Sequence, residues 1–377
     1  MSAWPGKYVI GLTGNIATGK SVVRKMLEHL GVYGIDADAL AHRATAQGSP
    51  GYRPVVDTFG KWILSSDGQI DRAKLARVVF ADPEALVQLE AIVHPLVAQA
   101  VDILVRRAPR QVVVVEAIKL IESGLAEKCD SIWVTYAPQE LQLARLMQKR
   151  KTSEAVARQR ISVQPLQEKK TAVAHVIIRN DGSFEDTWQQ VYAAWQKAFP
   201  SAEDGLAQPA QAAAGEMVVY RARPRDAEDI AALITQLSQG QRRMTRAEVM
   251  AAFGEKAFLL LKSDEKTLGV VGWKVENLVA CTDDVYLESN TSLVDGLGAL
   301  MKDVERASRE LECEISLLFL PPSFENQENL FRALGYQRRT PSNLGVRAWE
   351  EAAQESMPAN TLMLFKQLRQ DRVLRPV

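Results

Sequence analysis

Residues 8–21, reading Tyr8-Val9-Ile10-Gly11-Leu12-Thr13-Gly14-Asn15-Ile16-Ala17-Thr18-Gly19-Lys20-Ser21, constrain this chain more than any other stretch. An apolar run that reads as a buried strand breaks into a loop of small residues, and the loop ends in Gly-Lys-Ser where an amphipathic segment begins. Gly14 to Ser21 fits G-x-x-x-x-G-K-[ST] at every fixed position, in the strand, loop and helix context the motif requires. Small residues let backbone N–H groups turn inward around a polyphosphate, and the following helix aims its positive end at the same anion. Gly14, Asn15, Ile16, Ala17, Thr18, Gly19 and Val22 are therefore expected to wrap the phosphates of a nucleoside triphosphate. Lys20 would reach the β- and γ-phosphates as a charge stabiliser, and Ser21 would hold Mg²⁺ through its hydroxyl.

At 377 residues the chain exceeds what one core ordinarily supports, so two domains are expected. Lys plus Arg and Asp plus Glu both number 46, and this zero net charge argues against bulk nucleic-acid or anionic-membrane binding; charge-driven recognition must be local. Cys129, Cys281 and Cys313 are too few and too scattered for a disulfide framework or a zinc site, which suits a reducing cytosol. The N-terminus runs straight into the first strand without the regions of a signal peptide, and no apolar run approaches the ~20 residues of a membrane span. The expectation is a soluble cytoplasmic protein without nucleic-acid or membrane partners.

After the loop, Val22, Val23, Met26, Leu27 and Leu30 recur at helical spacing, with Arg24, Lys25, Glu28 and a solvated His29 expected on the opposite side. A second short strand, Val32 to Ile35, delivers Asp36-Ala37-Asp38 at its carboxyl end. In an open parallel sheet that is the ligand side, where a carboxylate can take the proton of an attacking hydroxyl. The plain alternative is that one or both aspartates cap the next helix. Residues 45–110 read as a mainly helical insertion in which His94-Pro95 lies on an apolar stripe, the proline implying a helix start or kink. His94 is either a structural histidine or a substrate contact. The β-branched run Val112 to Val115 reads as a strand buried on both faces and ends in Glu116, a candidate substrate- or Mg²⁺-side group. Ser131–Tyr136 and Val173–Arg179 supply two further strands. Between them, residues 138–170 carry eight Lys or Arg against three Glu, a bias suited to a lid that grips phosphates.

Taken together, these motifs make the first ~200 residues resemble a dephospho-coenzyme A kinase, which uses ATP to phosphorylate the 3′-hydroxyl of dephospho-CoA. The resemblance is carried by Gly11 to Gly14 with Thr18 to Ser21, Ile35 to Asp38, His94-Pro95, Leu120 to Leu125, Gln142 to Leu146 with Arg150, Arg160 to Gln164 and Asn180-Asp181-Gly182. It implies a five-stranded parallel sheet with a helical substrate-binding insertion around His94 and a lid around Arg145 and Arg150. It also implies that Asp36 faces the 3′-hydroxyl as catalytic base, with Asp38, His94 and Glu116 on the substrate side, and that Asn180 lies near adenine. Where such kinases usually carry Pro-Leu-Leu-Phe-Glu and Ala-Asp, this chain has Ile118-Lys119-Leu120-Ile121-Glu122 and Ala174-His175, which brings a lysine to the rim of the site. A nucleotide-binding switch, or a kinase for another small metabolite or nucleotide, fits the loop alone and stays open.

Residues 200–216 hold one large aliphatic side chain in seventeen and read as a linker. From Met217 an α+β pattern begins: a strand, an Asp226-led helix, a capping box at Thr245, a hairpin around Ser263 to Thr267, a strand near Val285, a long helix from about Leu293, a strand at Glu314–Leu320 and a helix at Glu328–Leu334. This order, with Asn329 to Tyr336, resembles the GNAT acetyltransferase fold, whose long helix opens on a basic or amide residue and a Gly-x-Gly that bind acetyl-CoA pyrophosphate. Here Gly296-Leu297-Gly298 is preceded by Leu293 in the basic position and by Asp295. A negative charge there opposes anion binding, so a non-catalytic GNAT-like module is expected, with CoA or acetyl-CoA as the ligand class the resemblance raises.

Overall fold

The computed structural model describes residues 3–150, 153–200, 216–264, 266–276 and 278–369, without the side chains of residues 149 and 150. They fall into two compact units, the first within residues 1–202 and the second within 203–372. Residues 201–215 of the expected linker lie outside the described residues.

The first unit begins with β1 (Tyr8–Thr13), α1 (Lys20–His29), β2 (Tyr33–Asp36) and α2 (Ala37–Ala44). The insertion follows as α3 (Tyr52–Phe59), α4 (Arg72–Ala81) and α5 (Pro83–Arg107). The chain then runs through β3 (Val112–Glu116), β4 (Ser131–Tyr136), α6 (Gln139–Arg150), α7 (Glu154–Ser162), α8 (Gln167–Thr171), β5 (Val176–Arg179) and α9 (Phe184–Ala198). The five strands form one sheet in the order β2-β3-β1-β4-β5, every pair parallel. Because β1 is central, its carboxyl end opens the phosphate loop in the middle of the sheet edge, with β2 and β3 ending alongside at Asp36 and Glu116, which share a register. Val23, Met26 and Leu27 of α1 pack on Ile10, Leu12, Val114 and Trp133, together with Val191 and Trp195 of α9.

Four expectations change. The polar side of α1 is not solvated: Lys25, Glu28 and His29 are buried. Glu28 lies over β2 at Gly34, where a Cβ would stand 2.1 Å from its Oε1, so the strand leaves room for a charge that the helix pattern alone places in water. Helix α5 neither starts nor stops at Pro95; it starts at Pro83, after Asp82 accepts from the Glu84 N–H at 2.9 Å, and runs through Pro95 for 25 residues. That makes it long and apolar enough by composition to cross a membrane, contrary to the expectation of no such run. In this unit its Val93, Val97, Ala100, Val101, Leu104 and Val105 are buried. Strand β5 starts at Val176 rather than Val173, because Val173 closes a turn onto the Lys170 carbonyl. His175 holds the adjacent edge: its Nδ1 accepts from the Ile132 N–H at 3.0 Å.

The second unit contains β6 (Met217–Arg221), α10 (Ala227–Leu237), α11 (Arg246–Phe253), β7 (Ala257–Ser263), β8 (Lys266–Glu276), β9 (Val279–Leu287) and α12 (Leu293–Glu310). It ends with β10 (Ile315–Leu320), α13 (Glu328–Leu334), β11 (Gln337–Arg338), α14 (Arg347–Ser356) and β12 (Leu362–Gln367). The strand order is β11-β12-β10-β9-β8-β7-β6, with β9 and β10 the one parallel pair. The α+β expectation holds, including the reciprocal Thr245–Glu248 capping box and the β7–β8 hairpin. The expected elements end at Tyr336, and β11, α14 and β12 lie beyond them. β12 is a short apolar run whose partner, β10, lies some forty residues upstream, beyond the reach of local pattern. Leu297, Leu300, Met301 and Val304 of α12 cover one face of this sheet, and Trp349, Ala352 and Ala353 of α14 cover the other.

Leu27 is fully buried at the centre of the α1–sheet contact. Leu27→Ala should cost the first unit about 2–5 kcal/mol, read as lost hydrogen-exchange protection of the β1, β3 and β4 amides while those of β8 and β10 keep theirs.

Candidate active site at the phosphate loop

The loop from Gly14 to Ser21 is held from three sides before any phosphate arrives. From β4, the Thr135 hydroxyl shares a 2.7 Å hydrogen bond with that of Thr18, and a Cβ on Gly14 would sit 2.6 Å from the Thr135 carbonyl oxygen. From the end of β5, Asn180 Nδ2 donates to the Thr18 carbonyl at 3.0 Å, its own Oδ1 accepting from Thr187 at 3.2 Å. From the segment after α7, Gln164 Oε1 accepts the Ile16 N–H at 2.8 Å, while Asn15 Nδ2 donates to the Pro165 carbonyl at 2.9 Å. Arg145 of α6 joins the two rims by donating to the carbonyls of Ala17 at 3.2 Å and Asn180 at 2.9 Å. Burial moves the Arg145 pKa down, against the pull of Asp181. Gly19 has φ +94°, in the left-handed region, and a Cβ there would lie 1.7 Å from Asn180 Nδ2. Glycine is thus demanded twice, by backbone conformation and by the approach of Asn180. Lys20 is buried, with its Nζ 3.2 Å from the Asn15 carbonyl, and the side chain of Val22 packs against the α1–α9 core.

Beside the loop stands a group of carboxylates organised by one guanidinium. Arg24 Nε donates to Glu116 at 2.6 Å, its Nη1 to Glu28 at 2.7 Å, and its Nη2 lies 3.7 Å from Asp36. Burial opposes the charge on Arg24, but Glu28, Glu116 and Asp36 outweigh it and move its pKa upward. The other Glu116 oxygen accepts from the Ser21 hydroxyl at 2.7 Å. Asp36 caps α2, one oxygen accepting the Ala39 N–H at 2.9 Å, and its side chain stays 33% exposed. Asp38 caps nothing. Both its oxygens accept the Ile118 N–H, at 3.1 and 3.3 Å, and burial, then the charge of Asp36, push its pKa up to about 6 against the pull of Lys20.

His94 is half-buried on α5 and makes no hydrogen bond or ion pair among the described residues. The side chain of Arg150 lies outside the described residues, as does all of Lys151. Lys119 does not reach into the site; it pairs with Glu90 of α5. Of the basic residues between 138 and 170, Arg158 is spent on Glu154 at 2.7 Å. The residues that sequence reasoning passed over are Arg24, Glu28, Thr135 and Gln164. Arg24 carried a usable signal, since it follows Ser21 by three residues and precedes Glu28 by four, and so lies on one helix face with both.

In the second unit, α12 is capped by Ser292, which accepts the Asp295 N–H at 3.3 Å. The glycine at 296 answers to packing, since a Cβ would meet Thr291 at 2.8 Å and Leu261 at 3.3 Å.

Gly19→Ala should break the Asn180–Thr18 contact and lower ATP affinity at least about tenfold, roughly 1.4 kcal/mol, measured by calorimetric titration. Asp38 has a folded-state pKa of about 6 against an ordinary 3.8, so the folded chain holds this proton more tightly. Its contribution is present below the unfolded value and is lost as pH rises through the folded one. Asp38→Asn should therefore melt progressively higher relative to wild type as pH is raised from about 4 to about 7.

The dephospho-CoA kinase family model matches residues 8–186. A dephospho-CoA kinase of Geobacter metallireducens is 45% identical over 192 residues, covering 50% of this chain and 96% of the relative. Among solved structures, a dephospho-CoA kinase from Campylobacter jejuni is similar at 29% identity, covering 52% of this chain and all of that one, with a TM-score of 0.40. A GNAT-family acetyltransferase from Staphylococcus aureus covers 41% of this chain at 12% identity and a TM-score of 0.33. With its phosphate loop, carboxylate group and parallel sheet all inside the matched region, the chain belongs through its first half to the dephospho-CoA kinase family.

Proposed function

We propose that the first unit phosphorylates the 3′-hydroxyl of dephospho-CoA with ATP, giving coenzyme A and ADP, the last step of coenzyme A synthesis. The observation that carries this reading is the position of Asp36, a partly exposed carboxylate at the end of β2, linked through Arg24 and Glu116 to Ser21 of the phosphate loop. The acceptor hydroxyl gives its proton to Asp36 as its oxygen attacks the γ-phosphorus in line, and the bond to the β–γ bridging oxygen breaks. Because the other Asp36 oxygen is fixed by the α2 N-terminus, the carboxylate is oriented before the acceptor binds. Lys20 offsets charge on the β- and γ-phosphates, and Arg145 with Asn180 holds the nucleotide end beyond the loop. Asp38, His94 and Glu116 are assigned to the acceptor side.

Ser21 and Glu116 offer oxygen ligands 2.7 Å apart, a donor set that suits Mg²⁺. Among the described residues no group of three His, Cys, Asp or Glu could hold a metal by itself, so such an ion would share its shell with phosphates and water. When bound, Mg²⁺ supplies charge neutralisation at the β- and γ-oxygens. The second unit is assigned as a GNAT-like module without acetyl transfer, on the strength of the Ser292 cap and the packed Gly296.

Purified chain with ATP, Mg²⁺ and dephospho-CoA should yield coenzyme A by mass spectrometry. Asp36→Asn should lower kcat by about 10²–10⁴ with ATP affinity nearly unchanged. ATP binding or hydrolysis without phosphorylation of this acceptor would instead favour the nucleotide switch or a different acceptor. Acetyl-CoA offered to a 217–377 fragment with a panel of amines should release no thiol; release would make that unit an acetyltransferase.

A further inference from the structure

Lys170 is a basic residue of the 138–170 stretch that the reading so far leaves without a task. It sits on the short α8, is 2% exposed, and donates through Nζ to the Ile118 carbonyl, with Glu122 at 3.7 Å. Thr13, the last residue of β1, donates to the same carbonyl at 3.1 Å. The N–H of Ile118 is the group that binds Asp38. The two peptide units flanking Ile118 are therefore anchored on opposite sides, one by Asp38 and the other by Lys170 and Thr13. An ammonium buried against one carbonyl and one distant carboxylate is poorly compensated. Burial indeed lowers its pKa against the pull of Glu122. Packing alone would be served as well by a methionine.

We propose that Lys170 is a positioning residue of the phosphoryl-transfer site, fixing the Ile118 peptide and through it the Asp38 carboxylate beside Lys20. The proposal rests on the reading of Asp38 as an acceptor-side group. It also ties that carboxylate to the chain segment that clamps the loop, because Gln164 and Lys170 are six residues apart and reach the Ile16 N–H and the Ile118 carbonyl respectively. The charges that face Asp38 are Asp36 from β2, Lys20 from α1 and Glu116 from β3, and those that face Lys170 are Glu122, Lys20 and Asp38. Removing the Lys170 charge takes a cation from a group rich in carboxylates, so the Asp38 proton is held more tightly and loss of activity on acidification begins at higher pH.

The test uses the full chain and Lys170→Met. With ATP and dephospho-CoA, kcat should fall about 10- to 100-fold while the KM for ATP stays within about threefold, and the acid limb of the kcat profile should move up by about half a pH unit or more. Lys170→Arg should recover part of kcat. The independent readout is the Ile118 amide resonance, which follows the protonation of Asp38 with or without turnover; its midpoint should rise in Lys170→Met. A moved midpoint in a chain that makes no coenzyme A overturns the substrate reading and leaves the positioning role standing. An unmoved midpoint, or a Lys170→Met enzyme with wild-type kcat and acid limb, overturns the positioning role. Should Lys170→Met not fold, Lys170→Gln carries the same measurement, because it removes the charge while keeping a hydrogen-bond donor; an Ile118 midpoint identical to wild type would then overturn it.

Discussion

The Arg24 guanidinium is the contact on which the arrangement at the sheet edge depends. Its side chain is only 11% exposed, it cannot lose its proton, and it is acceptable there because carboxylates from three separate elements come to it: Glu28 from its own helix, Asp36 from β2 and Glu116 from β3. Each of those carboxylates would be costly in the same place without the arginine. The mutual dependence fixes the ends of two parallel strands against the helix that leaves the phosphate loop. Glu116 extends the network to the Ser21 hydroxyl, so the position of the putting-together of loop and strand ends is set by charge as well as by the apolar core below it.

The loop itself depends on contacts from the opposite flank. Its backbone N–H groups must stay available to an anion, which limits what the loop can do for its own stability. Its carbonyls and side chains are instead bound from outside, by Asn180 at the end of β5, Thr135 in β4, Arg145 on α6 and the Pro165 carbonyl, while Gln164 takes up one loop N–H, that of Ile16. A small apolar contact of Leu146, Ala157 and Ile161 with Ile16 and Ala17 supports the same junction. These partners come from a segment some 120 to 165 residues downstream. The phosphate loop is thus local in sequence and non-local in support.

The second unit solves different problems. Its buried polar side chains serve the fold: Trp349 donates to Glu314 at 2.8 Å, Tyr336 to Ser316 at 2.8 Å, and Trp273 to Ser308 at 3.1 Å. Lys256 answers Asp283 at 2.6 Å and Asp284 at 2.7 Å where the β8–β9 register shifts near Gly272. At the start of α12 the helix end is capped by its own serine.

The sequence by itself determined the elements whose signals are short-range. The phosphate loop was legible because its residues are consecutive and its chemistry is backbone chemistry; β3 was legible as an unbroken β-branched run, and the Thr245 box as a spacing of three. Asp36 was legible as the carboxyl end of β2, where it stands in register with Glu116, because a short apolar run followed by a helix-capping Asp is a local pattern. Only the tertiary structure decided what each carboxylate binds, since the Asp38–Ile118, Glu116–Arg24 and Lys170–Ile118 contacts join residues 80, 92 and 52 positions apart. The same distance in sequence hid the burial of Glu28 and His29 and the pairing of β12 with β10. Periodicity tells which side of a helix is apolar, but whether its polar side meets water or a counter-charge depends on which distant strand the fold lays across it.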